Sequence, residues 1–204
     1  MSQVLIATSN QGKLRDFAAA AAEHGITVCA LPGFSSLPAV PEDEPTFEAN
    51  ARKKAEAYSR FAPGAMVLAD DSGLEVRALG DAPGVHSARY AAPSLHENAS
   101  DAANNARLLH EMREIPDDQR QAQFVCVIVV ARDGKALASF RGEARGTILR
   151  APRGAGGFGY DPLFYFPALG KTFAELSPEE KARVSHRGQA FRKFLEWMEK
   201  SRSQ

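Results

Sequence analysis

The sequence predicts an α/β fold built on a mixed β-sheet, and three observations carry that reading. An apolar run, Val4–Ala7, is followed by a small-residue turn, a helix-like stretch and a second short strand, the start of an α/β alternation. Phe124–Val130, FVCVIVV, is a continuous apolar run rich in β-branched residues, as expected of a central strand buried on both faces. Arg132-Asp133-Gly134-Lys135 then carries the Asp-Gly signature of a tight hairpin. The following strand, Leu137–Leu149, therefore returns antiparallel, and the sheet is mixed rather than purely parallel.

The bulk properties bound the function. The 204 residues suit one domain, spanning 1–204, with room for two intimate lobes and a real core. Basic and acidic residues balance at 25 each, which argues against a sequence-independent nucleic-acid binder. Cys29 and Cys126 lie far apart in apolar settings, so reduced, buried thiols are expected rather than a disulfide or a metal site. The N-terminus enters Val4-Leu5-Ile6-Ala7 without a charged leader, and no segment approaches membrane-spanning length. The chain is expected to be soluble and cytoplasmic, with no membrane and no nucleic-acid partner.

After the first strand, Thr8-Ser9-Asn10-Gln11-Gly12-Lys13 leads into a helix over Leu14–His24 that Gly25 ends. A strand, a small-residue turn and a helix start with a lysine in its first turn make an anion site from free N–H groups, the helix dipole and a full charge. The glycine spacing of a Walker loop is missing, and the same pattern also suits a capped helix with a solvated lysine. A strand over Ile26–Leu31 and a Pro-rich loop, Pro32–Pro45, follow; the loop holds the acidic triplet Glu42-Asp43-Glu44. Thr46 is placed to cap a helix from Phe47 to Phe61, with Phe47, Ala51, Ala55 and Tyr58 as its apolar stripe. Asn50 and Lys54 fall four apart on a common face.

The stretch Val67–Tyr90, VLADDSGLEVRALGDAPGVHSARY, is the centre of the chain. Its apolar opening predicts a buried strand that ends in an Asp70-Asp71-Ser72-Gly73 turn and presents the two acids at the sheet's rim. Adjacent strand residues face opposite ways, so the acids are expected to differ in role. Asp, Ser and Gly are also the residues of an ordinary solvated turn. A turn cluster follows at Gly80–Gly84, then His86-Ser87-Ala88-Arg89-Tyr90; His86 has no partner at metal-ligand spacing. A helix from Ser100 or Asp101 to about Arg113 buries Leu108, Leu109 and Met112 and ends before Pro116.

Gly154–Gly159 satisfies the letters of a dinucleotide fingerprint, but Tyr160–Pro167 reads as extended where that site requires a helix, so the assignment fails. What remains is a glycine loop displaying Phe158, Tyr160 and Asp161, suited to closing over a flat ring; stacking on a base is worth about 1–3 kcal/mol. Ser177-Pro178-Glu179-Glu180 is a strong helix start, with Lys181 in its first turn. Ser185 then caps a second helix bearing Ala190, Phe191, Phe194, Leu195 and Met198 on one stripe, with Trp197 near its end. His186 and Arg187 sit at that helix start, where basic groups are electrostatically unfavourable, and this tips the reading toward a ligand.

In series, TSNQGK at 8–13, ADDSGLEV at 69–76, PGVHSARY at 83–90, GGFGYDPLF at 156–164 and SPEEKARVSHRGQA at 177–190 resemble the RdgB/Ham1 family of noncanonical purine nucleoside triphosphate pyrophosphatases. The resemblance runs from residue 4 to about 195. It implies an elongated mixed sheet flanked by helices, two lobes with a nucleotide cleft between them, and a homodimer. It also implies Mg²⁺-dependent hydrolysis of dITP, ITP or XTP to the monophosphate and pyrophosphate. Carried over by motif, Asp71 resembles the general base and a metal ligand, Ser72 a substrate contact, and Thr8, Ser9, Asn10, Gln11, Gly12 and Lys13 the triphosphate segment, with Lys54 beside it. Phe158, Gly159, Tyr160 and Asp161 resemble the base-binding loop, with Phe158 as stacking platform. Lys181, His186 and Arg187 resemble the purine readers. One region departs from the pattern: Glu44 stands where a glycine is usual and Ala49 where a glutamate is usual, and Glu42 aligns with the metal-binding acid. A pyrophosphatase for standard or modified pyrimidine triphosphates is the rival enzyme reading, and a nucleotide-binding regulatory module the rival outside catalysis. The SHR and FGYD matches disfavour the first, and an intact Asp71 the second.

Overall fold

The computed structural model describes residues 3–22, 24–94 and 97–202. Five α-helices and eight strands are found among them, besides short 3-10 helices, and the strands form one open mixed sheet in the order β2-β1-β3-β5-β6-β7-β8, with β4 against β3. The α/β expectation holds. The chain divides into two compact units, one formed by residues 1–71, 126–143 and 178–204, the other by 72–125 and 144–177. The ends of the expected 1–204 span lie outside the described residues.

In the first unit, β1 (Gln3–Ile6) lies parallel to β2 (Thr27–Ala30) and to the start of β3 (Val67–Val76). Helices α1 (Gln11–Ala22), α2 (Phe47–Ser59), α4 (Pro178–Val184) and α5 (His186–Arg202) belong to it. Glu23, within the expected first helix, lies outside the described residues. The core joins Val4, Ile6 and Phe17 to Leu68, Ile128, Val130, Phe191 and Phe194. Burying each such side chain is worth about 1.5–3 kcal/mol, which anchors α1 and α5 against the sheet. Thr46 caps α2 by accepting from the Ala49 amide at 3.2 Å, and Ser185 caps α5 by accepting from Gly188 N at 3.1 Å. At Gly188 any Cβ would overlap the Ala182 carbonyl, so glycine lets α5 start tight against α4.

β5 (Gln121–Arg132) is longer than the apolar run that predicted it, and Val125–Ala131 is buried without a break. Asp133 and Gly134 both have positive φ, 52° and 82°, as the expected primed hairpin turn requires before β6 (Lys135–Ile148). Cys126 is buried and Cys29 half-buried, and both thiols are free. No helix among the described residues is long and apolar enough to cross a membrane.

The second unit takes the ends of β3 and β6, the start of β5, and β4 (Ala82–Pro83), β7 (Phe164–Phe166), β8 (Lys171–Thr172) and α3 (Asp101–Glu111). Phe124, Phe164 and Phe173 form its aromatic centre, with Phe124 4.6 Å from Phe164 and 5.7 Å from Phe173, centroid to centroid. Tyr160–Leu163 is turned rather than extended, and no helix follows the glycine loop. The rejection of a dinucleotide fold stands.

The turn expected at Asp70–Gly73 is not found. β3 does not end before Asp70: it runs on through Asp71, Ser72 and Gly73 to Val76, and both acids are buried, at 3 and 4% exposure, rather than set in a rim turn. The turn preference of Asp, Ser and Gly is a local effect, and here cationic and amide partners brought by other segments outweigh it.

Candidate active site

The first unit gathers most of the expected site residues. Beyond β1, Thr8 is buried and its Oγ1 accepts from Asn10 N at 3.2 Å. Asn10 Oδ1 in turn accepts from Lys13 N at 3.1 Å, so Asn10 caps α1 and aims the helix N-terminus past an exposed Ser9-Asn10-Gln11. Lys13 is not solvated: Nζ lies 2.9 Å from Asp70 Oδ2.

Asp70 and Asp71 face opposite ways, as strand alternation requires, and meet different partners. Asp70 has Lys13 and, at 3.9 Å, Arg187 Nε. Asp71 Oδ2 accepts from Asn50 Nδ2 at 3.0 Å, and Asp71 Oδ1 stands 3.8 Å from Lys54 Nζ. Burial pushes both carboxyls up, yet the outcomes differ. Around Asp70, Lys13, Arg187 and Lys54 outweigh burial and hold its carboxyl below the usual range. Around Asp71, burial wins over Lys54, and Glu42 adds repulsion, so its carboxyl sits above the usual range. Two adjacent acids driven in opposite directions is the pattern by which sites separate a structural carboxylate from a base.

Lys54 is the hub of the second cluster. Burial disfavours its charge, but Asp71 and Glu42 more than compensate and hold the ammonium firmly protonated. It donates to Glu42 Oε1 at 2.7 Å, and Glu42 is held below the usual carboxylate range because Lys54 outweighs its partial burial. Asn50 shares the Lys54 face of α2, as the four-residue spacing predicts; besides Asp71 it accepts from the Glu44 amide at 3.0 Å and donates to the Glu44 carbonyl at 3.3 Å. The side chains of Asp43 and Glu44 turn to Lys53 instead, which leaves Glu42 as the acid of the triplet beside Asp71. Among the described residues no three His, Cys, Asp or Glu side chains cluster as a closed metal site. The donor set fits Mg²⁺ all the same, because that ion keeps several waters and takes one or two carboxylates plus substrate phosphates. Glu42 and Asp71 repel each other across Lys54, the electrostatic setting a cation would relieve.

The residues that the resemblance casts as purine readers also fall here. Lys181, His186 and Arg187 are all buried, at 5, 1 and 5% exposure. Burial, reinforced by Arg187 and Lys181, pulls the His186 imidazole well below its ordinary value, so at neutral pH it is an uncharged ring with a single N–H to donate. Asp16 on α1 holds two of the three, with Oδ2 3.1 Å from Arg187 Nη1 and Oδ1 3.5 Å from Lys181 Nζ. Sequence reasoning missed Asp16, because a lone acid in a helix reads as solvent-facing. The available signal was its three-residue step from Lys13, which puts both on one face of α1.

Ser72 and Phe158–Asp161 belong to the second unit. Ser72 is half-buried on β3. Asp161 is buried and its Oδ2 accepts from Phe158 N at 2.9 Å, closing the glycine loop on itself. A Cβ at Gly157, where φ is +71°, would overlap that oxygen, so glycine is required there. Tyr160 donates its hydroxyl to the Ser87 carbonyl at 2.8 Å, and Ser87 Oγ accepts from Leu74 N of β3 at 2.9 Å. The segment that carries Ser87 is a 3-10 helix over Gly84–Arg89.

Comparison with known proteins places this arrangement. The Ham1 family's sequence pattern matches residues 4–197. The dITP/XTP pyrophosphatase of Acidobacterium capsulatum is 53% identical over 194 residues, 93% of this chain and 95% of that protein. That of Geobacillus kaustophilus is 50% identical, covering 98% of this chain and 95% of its own. The solved structure of the Staphylococcus aureus Ham1 protein superposes with a TM-score of 0.82 at 40% identity, covering 98% of this chain and all of the other. With sequence, architecture and the order of its motifs in agreement over nearly its full length, the chain belongs to the Ham1 family.

Proposed function

We propose that this protein hydrolyses noncanonical purine nucleoside triphosphates (dITP, ITP, XTP and dXTP) to the monophosphate and pyrophosphate, with Mg²⁺, and so clears deaminated purines from the nucleotide pool. The observation that carries the reading is the divergence of Asp70 and Asp71: one carboxylate locked between cations, its neighbour raised and set beside Lys54 and Glu42. Full-length relatives named dITP/XTP pyrophosphatase support it.

In the proposed mechanism Asp71 takes a proton from water as the oxygen attacks the α-phosphorus; the α–β anhydride bond breaks and pyrophosphate leaves. A raised carboxyl is the stronger base, and Asn50 fixes its orientation. Lys13, Lys54 and the α1 N-terminus would neutralise phosphate oxygens, because phosphoryl transfer depends on positioning and charge more than on covalent chemistry. Mg²⁺ held by Asp71 and Glu42 would supply charge neutralisation and a low-pKa water. Ser72 would contact the substrate, and Phe158 would offer a ring to the purine. Lys181, His186 and Arg187 would read its edge. A 6-oxo group accepts where the 6-amino group of adenine donates, so donors held in place by Asp16 reward hypoxanthine and xanthine and would be left unpaired by adenine. A cytoplasmic homodimer accompanies this reading, and sedimentation equilibrium tests the dimer. Pyrophosphate release from dITP, XTP and dATP tests the activity: rapid turnover of the first two alone is expected, and equal rates on all three would discard the base-reading role.

A further inference from the structure

We propose that Asp101 and Asn105, in the first turns of α3, are positioning residues that set the base-binding loop through Gly159; this rests on the reading of Phe158 as the purine platform. Asp101 Oδ2 accepts from Gly159 N at 2.6 Å, and Asn105 Nδ2 donates to Gly159 O at 2.9 Å. The two side chains stand one helical turn apart, so one face of α3 grips both backbone polar groups of a single residue. Gly159 has φ +61° and open space where a Cβ would be, so nothing about its own packing selects that conformation. The two α3 side chains do.

The consequence falls on Phe158. Its own N–H is held by Asp161 at 2.9 Å, and the peptide that follows it is held by Asp101. With the peptide planes on both sides of its Cα fixed, the direction of the Phe158 Cβ is fixed too, and the ring is left only its rotamers. Helix α3 is itself anchored, since Asn104 accepts from Ala91 N at 2.8 Å and donates to the Ala88 carbonyl at 3.2 Å. Tyr160 ties the far side of the loop to the same segment through Ser87. The PGVHSARY motif, which carries no role of its own in the proposed chemistry, is thereby explained as the frame on which α3 and the loop are mounted.

A loop released from α3 would populate its binding-competent form only part of the time, and apparent affinity falls by that fraction. The chemical step, set by Asp71 and its partners, would be untouched once substrate is bound. The test is steady-state pyrophosphate release from dITP with Mg²⁺ by the full-length protein and its variants. Asp101→Ala and Asn105→Leu are expected to raise KM about tenfold with kcat within about twofold, and Asp101→Asn, which keeps an acceptor oxygen, to restore KM to within about threefold. Phe158→Ala is expected to raise KM as well. If Phe158→Ala raises KM but both α3 variants leave it unchanged, the clamp is refuted and the platform survives. If Phe158→Ala leaves KM unchanged, the platform reading fails and takes the clamp with it. If kcat and melting temperature fall together in both α3 variants with no rise in KM, α3 is merely structural and the proposal is overturned.

Discussion

Asn50 and Asp71 share a buried hydrogen bond, Nδ2 to Oδ2 at 3.0 Å, and through its other contacts Asn50 also binds the backbone of Glu44 in the loop that carries Glu42. One side chain therefore orients the proposed base and steadies the segment bearing the other proposed metal ligand. Partners of this kind typically contribute 10–100-fold to metal affinity or activity. Asn50→Ala is predicted to lower kcat or raise the Mg²⁺ requirement by about 10–100-fold. A Mg²⁺ titration of pyrophosphate release checks it, with circular dichroism to show that the fold is kept.

Asp70 and Asp71 should part company when each is replaced by asparagine. Asp70 is stabilised by Lys13 and Arg187, and losing a hydrogen bond between charged partners costs about 1.5–3 kcal/mol. Asp71 is a carboxylate that burial already disfavours. Asp70→Asn is therefore predicted to lose more stability than Asp71→Asn and to retain more activity. Urea unfolding beside steady-state rates checks the inversion.

Arg187→Ala is predicted to keep the fold and lose base discrimination. Its two acidic partners each retain another cation, Asp16 with Lys181 and Asp70 with Lys13, so no buried carboxylate is stranded. A site that hydrogen-bonds its substrate rejects the mismatched analogue far more strongly than a shape-only pocket does. The ratio of kcat/KM for dITP over dATP should fall at least about tenfold, equivalent to about 1.4 kcal/mol. An unchanged ratio would remove Arg187 from base reading.

Much of the fold is legible in the sequence. Elements set by periodicity appear where expected: the Phe124–Val130 run, the Asp-Gly hairpin, the Thr46 and Ser185 caps. What the sequence misleads on depends on partners distant in the chain. The turn propensity of Asp70–Gly73 is visible locally, whereas Lys13, Asn50 and Lys54, which keep the segment extended and buried, come from two helices elsewhere. Asp16, Asp101 and Asn105 escape notice for the same reason: polar residues on helices look solvated until the element they face is known.

His186 supplies a pH prediction. Its folded-state pKa lies below the ordinary value of 6.5 through burial and its cationic neighbours. Between the two values the unfolded chain binds the proton and the folded one does not, so stability is full above about pH 6.5 and is lost as pH falls below it, by up to about 1.4 kcal/mol per pH unit. Urea unfolding from pH 7 to 5 should show this slope in the wild type and a shallower one in His186→Gln.

Whether Asp71 is the base of a noncanonical purine triphosphate pyrophosphatase is decided by pyrophosphate release from dITP with Mg²⁺, wild type against Asp71→Asn. General-base catalysis is worth about 10²–10⁴-fold, so rapid release by the wild type is expected, with kcat lowered by at least about a hundredfold in a folded variant that still binds dITP. A folded Asp71→Asn variant that turns over dITP at the wild-type rate would contradict it.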